Sequence, residues 1–193
     1  MIIGITGSTG SGKTTLLEEL RKLDAVVLDC DAIYHQLLTS DLSLLSAIEN
    51  RFPGTVENGQ LQRKKLGAIV FSDKNALLDL NNITHAAIYA EVLRRLERKP
   101  ALAAIDAIGL FESGLDALCD VTVAVIAPAD MRIQRLMSRD GISEDYAKSR
   151  IAAQPDDDWF RKKCGYVLEN NGDRADFQAK CLAFFIELGI MKA

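Results

Sequence analysis

The stretch Gly7-Ser8-Thr9-Gly10-Ser11-Gly12-Lys13-Thr14 decides the fold. It is a complete G-x-x-x-x-G-K-[ST] pattern, which is the sequence of a phosphate-binding loop. An apolar run, Ile2 to Ile5, precedes it, and leucines at helical spacing follow it as far as Leu23. The pattern therefore lies between a predicted strand and a predicted helix, which is the context that its chemistry requires.

Each residue type in this loop has a physical role. Glycines let the backbone wrap closely around phosphate with its N–H groups pointing inward, and the helix that follows adds its positive end. Lys13 would reach the terminal phosphates of a nucleoside triphosphate, and the Thr14 hydroxyl would join the coordination shell of Mg²⁺. An ordinary glycine-rich turn is the alternative, and the Lys-Thr pair disfavours it. The predicted nucleotide-binding residues are Gly7, Gly10, Ser11, Gly12, Lys13, Thr14 and Thr15, with Thr14 also the metal ligand.

Composition sets limits on the class of protein. The chain has 193 residues, of which 48% are hydrophobic and 26% charged, so we expect a single folding unit with a substantial core. Its net charge of -4 gives no general positive field for nucleic acid or an anionic membrane. The N-terminus has no signal-type segment, and no apolar stretch is long enough to span a membrane. We therefore expect a cytoplasmic protein that acts on a small molecule, without nucleic-acid or membrane partners.

The remaining apolar runs indicate the fold class. Ala25 to Leu28, Ala101 to Ile105 and Val121 to Ile126 are short, and helical or capping patterns follow each of them. Short apolar strands that alternate with helices predict an α/β fold, a parallel sheet with helices on both faces. We expect this core to comprise residues 1–39 and 101–193.

Residues 40–100 have a different pattern, which predicts helices only. The predicted helices are Leu42 to Phe52, Leu61 to Phe71 after an Asn58-Gly59 turn, and about Asn75 to Arg98. The sequence thus predicts an all-helical insertion between two strands of the sheet.

Carboxylates and arginines outside the loop are the other candidates for chemistry. Asp29 and Asp31 follow the second apolar run, at the carboxyl edge where open parallel sheets bind ligands. Asp31 could accept the proton of an attacking hydroxyl, or both aspartates could cap the next helix. Arg135 and Arg139 are four residues apart on a predicted helix, so they suit either a triphosphate or a salt-bridged surface.

The phosphate loop alone does not separate a GTPase, a motor ATPase and a small-molecule kinase. We find no N-K-x-D segment of the kind that reads guanine, and Ala103-Ala104-Ile105-Asp106 lacks the Asp-Glu ending of motor ATPases. A small kinase is therefore favoured. A degenerate regulator that binds ATP without transferring phosphate is a further alternative, which the intact set of charged residues disfavours.

Several further segments carry a resemblance to a known family. They are Leu28-Asp29-Cys30-Asp31-Ala32-Ile33, Ile83-Thr84-His85, Leu110-Phe111-Glu112 and Asn170-Asn171-Gly172. In this order, and with the phosphate loop, they resemble the dephospho-coenzyme A kinase family from about Ile3 to Gly172. The sequence departs from the family pattern at Ala86, where the family usually has proline.

The resemblance implies a P-loop kinase fold and a specific reaction. ATP would donate its terminal phosphoryl group, with Mg²⁺, to the ribose 3'-hydroxyl of dephospho-coenzyme A in the last step of coenzyme A biosynthesis. It implies that Asp31 is the catalytic base and that a lid of about 131–160 carries Arg135 and Arg139 over the phosphates. The 40–100 insertion would bind the acceptor, with Asp29, Arg63, His85 and Glu112 as substrate-binding residues and Asn170 and Gly172 beside the adenine. A related kinase of another nucleoside, nucleotide or polyol is the alternative.

Overall fold

A computed structural model describes residues 1–192 of the chain. The strands are β1 (Ile2–Gly7), β2 (Val26–Asp29), β3 (Val56–Glu57), β4 (Gln60–Leu61), β5 (Ala103–Asp106), β6 (Val121–Ile126) and β7 (Tyr166–Glu169). The helices are α1 (Lys13–Lys22), α2 (Cys30–Ser40), α3 (Leu42–Arg51), α4 (Arg63–Val70), α5 (Lys74–Leu96), α6 (Ala129–Asp140), α7 (Glu144–Ala152), α8 (Asp157–Lys163) and α9 (Arg174–Glu187). None of the described helices is both long enough and apolar enough to cross a membrane.

Five strands form the main sheet, in the order β2-β5-β1-β6-β7. The central strand β1 pairs in parallel with β5, where Ile5 faces Asp106, and with β6, where Ile5 faces Val123. Strand β6 pairs in parallel with β7. The predicted α/β class with a parallel sheet flanked by helices is confirmed. The phosphate loop leaves the central strand at its carboxyl end, which is the edge where such sheets bind ligands.

The two faces of β1 pack differently, because successive side chains of a strand point to opposite sides. Ile3 and Ile5 are fully buried in a cluster that includes leucines of α1 and phenylalanines of α9. Gly4 points to the other face, where a Cβ would lie 2.7 Å from the Cys119 Sγ atom. The cluster of α1 and α9 against the sheet fixes the start of α1, and with it the end of the phosphate loop.

The chain divides into two compact units. The first comprises residues 1–27, 100–110 and the chain from 116 onward, and it contains the phosphate loop. The second comprises 28–99 and 111–115, so it begins earlier than the expected insertion at 40. Helices α2, α3 and α4 all pack against the long helix α5 in this second unit.

The prediction that residues 40–100 contain helices only is wrong at one place. Strands β3 and β4 pair antiparallel, with Glu57 opposite Gln60. Asn58 and Gly59 form the turn between them with φ of 53° and 73°. Two consecutive residues with positive φ make the tight turn that matches the twist of a hairpin, and Asn-Gly is its strongest sequence signal. The helix that was predicted from Leu61 therefore begins at Arg63.

Candidate active site

The phosphate loop has a backbone that only glycine supports at two decisive points. Gly7 has φ of 135°, and a Cβ there would lie 2.2 Å from the carbonyl oxygen of Val125. Gly12 has φ of 100°, and its Cβ would lie 2.2 Å from the Nδ2 atom of Asn170. At both positions, the positive φ and the atom 2.2 Å from the Cβ position together exclude a side chain. These positions allow the chain to turn from β1 into α1 within a few residues.

Every carbonyl oxygen from residue 7 to residue 12 accepts a hydrogen bond from the protein. Backbone N–H groups bind two of them, since Ser11 donates to Ser8 at 3.2 Å and Thr15 donates to Gly12 at 3.1 Å. Side chains bind the other four, and the donors are Lys13 to Gly7, Arg132 to Thr9, Arg135 to Gly10, and Arg135 with Asn170 to Ser11. The N–H groups of Ser11 and Thr9 bond to Ser8 and Gln154. Because the carbonyls are held by the protein, the other N–H groups of the loop are left to form an anion-binding concavity.

Arg135 and Asn170 hold the second half of the loop. Arg135 Nη1 donates to the carbonyls of Gly10 and Ser11, both at 3.2 Å, and its Nη2 donates to Asn170 Oδ1 at 3.2 Å. Asn170 is 5% exposed and donates from Nδ2 to the Ser11 carbonyl at 2.8 Å. The family resemblance implies that Asn170 lies beside the adenine, and in the structure its side chain contacts the Ser11 carbonyl and Arg135.

Arg132 is a residue that the sequence interpretation missed. It lies in the first turn of α6, is only 5% exposed, and donates from Nε to the carbonyl of Thr9 at 3.1 Å. Burial lowers the pKa of Arg132, and the negative charge of Asp157 counteracts this effect. No local pattern could have identified it, because its partner lies 123 residues earlier in the chain.

Gln154 is the second residue that received no role from the sequence. It follows α7, and its Oε1 accepts a hydrogen bond from the N–H of Thr9 at 2.8 Å. Thr9 is thus contacted at both backbone groups, by Arg132 at the carbonyl and by Gln154 at the N–H.

Lys13, Thr14 and Thr15 begin α1 directly after the loop. Lys13 Nζ donates to the Gly7 carbonyl at 3.0 Å, so its ammonium group lies within the loop. Thr14 is exposed, and Thr15 is half-buried with its N–H on Gly12. The first turn of a helix presents N–H groups and positive potential, which together favour phosphate.

Arg139 differs from Arg135, although both belong to α6. Its Nε and Nη2 donate to the two carboxylate oxygens of Asp140 at 2.6 and 2.9 Å. Arg150 donates to the same carboxylate at 2.7 Å. The hydrogen bond from Arg139 lowers the pKa of Asp140 to about 2. The structure therefore brings Arg135 to the loop and leaves Arg139 in an exposed ion-pair network.

Asp29 and Asp31 lie in the second unit, where they play different structural parts. Asp29 is the N-cap of α2, and its side chain accepts from the N–H of Ala32 at 2.9 Å. Asp31 lies in the first turn of the same helix, and its side chain is exposed and makes no cap. The capping alternative thus holds for Asp29 and not for Asp31.

A groove of about 190 Å³ lies in the second unit. Its lining is largely apolar and includes Tyr34, Arg63 and Phe71, the last of which is 85% exposed. Burial raises the pKa of Tyr34, and the nearby positive charge of Arg63 opposes the shift. Arg63 therefore presents a cation at an apolar surface, which suits a ligand with both anionic and apolar parts.

Three predicted site residues remain, which are His85, Glu112 and Gly172. His85 is half-buried in the middle of α5. Glu112 is exposed in the 111–115 segment of the second unit. Gly172 lies against Asp176, where a Cβ would be 2.6 Å from Oδ2, and Asp176 with Asp173 forms the capping box of α9. The structure thus gives Gly172 a role in the turn that starts α9.

Comparison with known proteins gives a consistent result. The family model of dephospho-CoA kinase matches residues 1–176. The dephospho-CoA kinase of Syntrophotalea carbinolica is 36% identical over 97% of this chain and 92% of that protein. That of Lactobacillus johnsonii is 33% identical over 97% of this chain and 98% of that protein.

Solved structures agree with the sequence comparison. A crystal structure of a Thermus thermophilus protein has a TM-score of 0.81 and 33% identity, and it covers 97% of both chains. The dephospho-CoA kinase of Campylobacter jejuni has a TM-score of 0.68 and 28% identity over 98% of both chains. A shikimate kinase of Bacteroides thetaiotaomicron, with a TM-score of 0.61 and 16% identity over 98% of both chains, shares the fold. With this fold, this phosphate loop and relatives of this similarity, the chain belongs to the dephospho-CoA kinase family.

Proposed function

We propose that the protein transfers the terminal phosphoryl group of ATP to the ribose 3'-hydroxyl of dephospho-coenzyme A, giving coenzyme A and ADP. This reaction completes coenzyme A biosynthesis. The observation that carries the proposal is the loop from Gly7 to Gly12, whose carbonyl oxygens are all bound by the protein. Such a loop is organised for phosphate before any phosphate arrives. Membership of the dephospho-CoA kinase family then supports dephospho-coenzyme A as the acceptor.

The donor set of the loop fits ATP. Lys13 can exchange the Gly7 carbonyl for a phosphate oxygen while its stem stays in place. The exposed hydroxyl of Thr14, in the first turn of α1, is the residue that would hold Mg²⁺. When bound, Mg²⁺ neutralises charge on the transferring phosphates. No three His, Cys, Asp or Glu side chains of residues 1–192 form a metal cluster, so phosphate and water would supply the other ligands.

The second unit supplies a surface that fits the acceptor. Dephospho-coenzyme A carries a diphosphate and a long, mostly uncharged arm. The groove that contains Arg63, Tyr34 and Phe71 combines a cation with apolar walls. We assign acceptor binding to this unit, with Arg63 toward the diphosphate, while Asp29, His85 and Glu112 remain assigned to the acceptor from the family resemblance.

Asp31 is the proposed proton acceptor for the ribose hydroxyl. Its carboxylate is exposed and is not used as a helix cap, so it is available for a substrate. Loss of a positioned base reduces rate by about 100- to 10,000-fold. Asp31→Asn should therefore lose activity in that range and keep its melting temperature. Asp29→Asn is the matched control, since Asn caps a helix about as well as Asp and its rate should fall much less.

The experiment that tests the proposed function is an acceptor panel. ADP release from ATP would be measured with dephospho-coenzyme A, adenosine, AMP, gluconate and shikimate at equal concentrations. We expect dephospho-coenzyme A to exceed every other acceptor by about 100-fold or more in kcat/KM. A stronger response to another acceptor would identify a related small-molecule kinase, and the absence of any ADP release would identify an ATP-binding regulator. Either result would overturn the proposal.

A further inference from the structure

The backbone of Thr9 is held from two sides by side chains that come from outside the phosphate loop. Arg132 Nε donates to the Thr9 carbonyl at 3.1 Å, and Gln154 Oε1 accepts from the Thr9 N–H at 2.8 Å. The Thr9 side chain takes no part in either contact. Both contacts therefore depend on the backbone of Thr9 and on the chemistry of the two partner side chains.

The guanidinium of Arg132 is buried, which is unfavourable for a charged group. The side chain is 5% exposed, and its Nη2 has no hydrogen-bond partner among the described residues. Burial of a guanidinium without a close carboxylate is unfavourable, because the charge loses its hydration. The charge of Asp157 offsets part of this cost from beyond salt-bridge distance. The direct contact that Arg132 Nε makes is with the phosphate loop.

Both partners of Thr9 belong to one supersecondary unit. Arg132 lies in the first turn of α6, and Gln154 lies just after the end of α7. Helices α6 and α7 pack against each other. Arg132 also packs close to the loop through its backbone, because a Cβ on Gly10 would lie 2.9 Å from the Arg132 carbonyl oxygen. Both contacts to the Thr9 backbone thus come from one pair of packed helices and the residues that follow it.

We propose that Arg132 and Gln154 are positioning residues for the nucleotide, which hold Thr9 at its carbonyl and its N–H and so keep the phosphate loop open before the nucleotide binds. The inference rests on the proposed function only in that the loop binds nucleotide. Arg132 and Gln154, which we call the clamp, act on the nucleotide through the loop rather than by contacting its phosphates. Its loss should therefore weaken nucleotide binding without changing the affinity for the acceptor.

The test measures ADP binding by calorimetry for Arg132→Met and Gln154→Met. Methionine keeps an unbranched side chain at both positions and removes the polar contact. We expect each variant to bind ADP about tenfold more weakly, which equals about 1.4 kcal/mol. Arg132→Lys should recover part of the loss, because an ammonium group can still donate to the Thr9 carbonyl. In the acceptor assay, KM for ATP should rise while KM for the acceptor stays within twofold.

Glu19→Gln is the control for a merely structural effect. Glu19 is 5% exposed on α1, away from the loop, and accepts hydrogen bonds from Lys22 and Gln178. This variant should melt at a lower temperature and bind ADP as the wild type does. The inference is overturned if either folded clamp variant binds ADP within threefold of wild type, or if Glu19→Gln weakens ADP binding as much as they do.

Three further outcomes are informative. If Arg132→Met does not fold, Gln154→Met decides alone, because Gln154 is half-exposed and its replacement buries no charge. ADP binding requires no acceptor. A wild-type protein that binds ADP and phosphorylates nothing would therefore refute the proposed function, and the variants would still decide the inference about Arg132 and Gln154. A wild-type protein that does not bind ADP would refute both.

Discussion

Asn170→Asp separates two roles for a side chain that lies against the phosphate loop. Family resemblance places Asn170 beside the adenine, whereas in the structure its Nδ2 donates to the Ser11 carbonyl at 2.8 Å and its Oδ1 accepts from Arg135. The substitution removes the donor, keeps the shape and keeps an acceptor for Arg135. It therefore tests whether the side chain anchors the loop or reads the base.

The size of the effect follows from the contacts that remain. A buried carbonyl that loses its partner costs about 1–3 kcal/mol. Ser11 keeps a second donor, since Arg135 Nη1 lies 3.2 Å from the same oxygen. The lost contact alone should thus cost about 1–1.5 kcal/mol. Repulsion between the new carboxylate oxygen and the Ser11 carbonyl oxygen adds to this cost, so the affinity for ATP should be at least about 5-fold weaker. If Asn170 anchors the loop, affinity for GTP should fall by the same factor.

The assay is a titration of ATP and GTP against wild type, Asn170→Asp and Asn171→Asp. Asn171 is exposed and accepts from Lys180 rather than contacting the loop, so Asn171→Asp adds the same charge one residue later. We expect this control to change either affinity by less than about twofold. A change of more than about threefold in the ATP to GTP ratio of Asn170→Asp, or no loss at all, would refute the anchor role.

Three other predictions follow from specific positions. Gly12→Ala should weaken nucleotide binding by at least about tenfold, since its Cβ would lie 2.2 Å from Asn170 Nδ2. Gly54 also has positive φ, but no atom lies within 4 Å of its Cβ position. Gly54→Ala should therefore cost only about 1–2 kcal/mol of stability and leave nucleotide binding intact. Glu91 has its pKa lowered from an ordinary 4.5 to about 2 by hydrogen bonds from Arg94 and then Arg95, so its ion pairs stabilise the fold above pH 4.5 and are lost as pH falls toward 2. Glu91→Gln should therefore melt earlier than wild type at pH 7, with a difference that shrinks below pH 4.5, and a constant difference would contradict this. Hydrogen exchange in residues 131–154 of the proposed lid should slow when ATP binds; protection confined to the phosphate loop would show that this segment is not a lid.

Local chemistry accounts for what the sequence predicted correctly. The parallel sheet and the loop follow from short apolar runs and from glycines next to Lys13, and each of these signals lies within a few residues of the structure that it specifies. The hairpin at Asn58 and Gly59 had a signal of the same kind, and it was missed because the strands on either side are only two residues long.

The contacts around the loop could not be predicted in this way. Arg132 and Gln154 reach Thr9 across 123 and 145 residues, so the neighbouring sequence does not indicate that either residue contacts the phosphate loop. Arg135 and Arg139 have the same helical spacing that suggested a shared role, yet only Arg135 contacts the loop because Asp140 holds Arg139. The positions of these side chains depend on the tertiary packing of α6 and α7 rather than on the spacing of residues in the sequence.

The position of the phosphate in the product tests the central claim most directly. Dephospho-coenzyme A and ATP-Mg²⁺ would be incubated with the protein, and the product would be analysed by mass spectrometry and by correlation of its phosphorus and ribose proton resonances. The proposed function predicts a product heavier by one phosphoryl group, with the new phosphate on the 3'-oxygen of the ribose. A phosphate at any other position, or unchanged dephospho-coenzyme A alongside a protein that binds ATP, would contradict it.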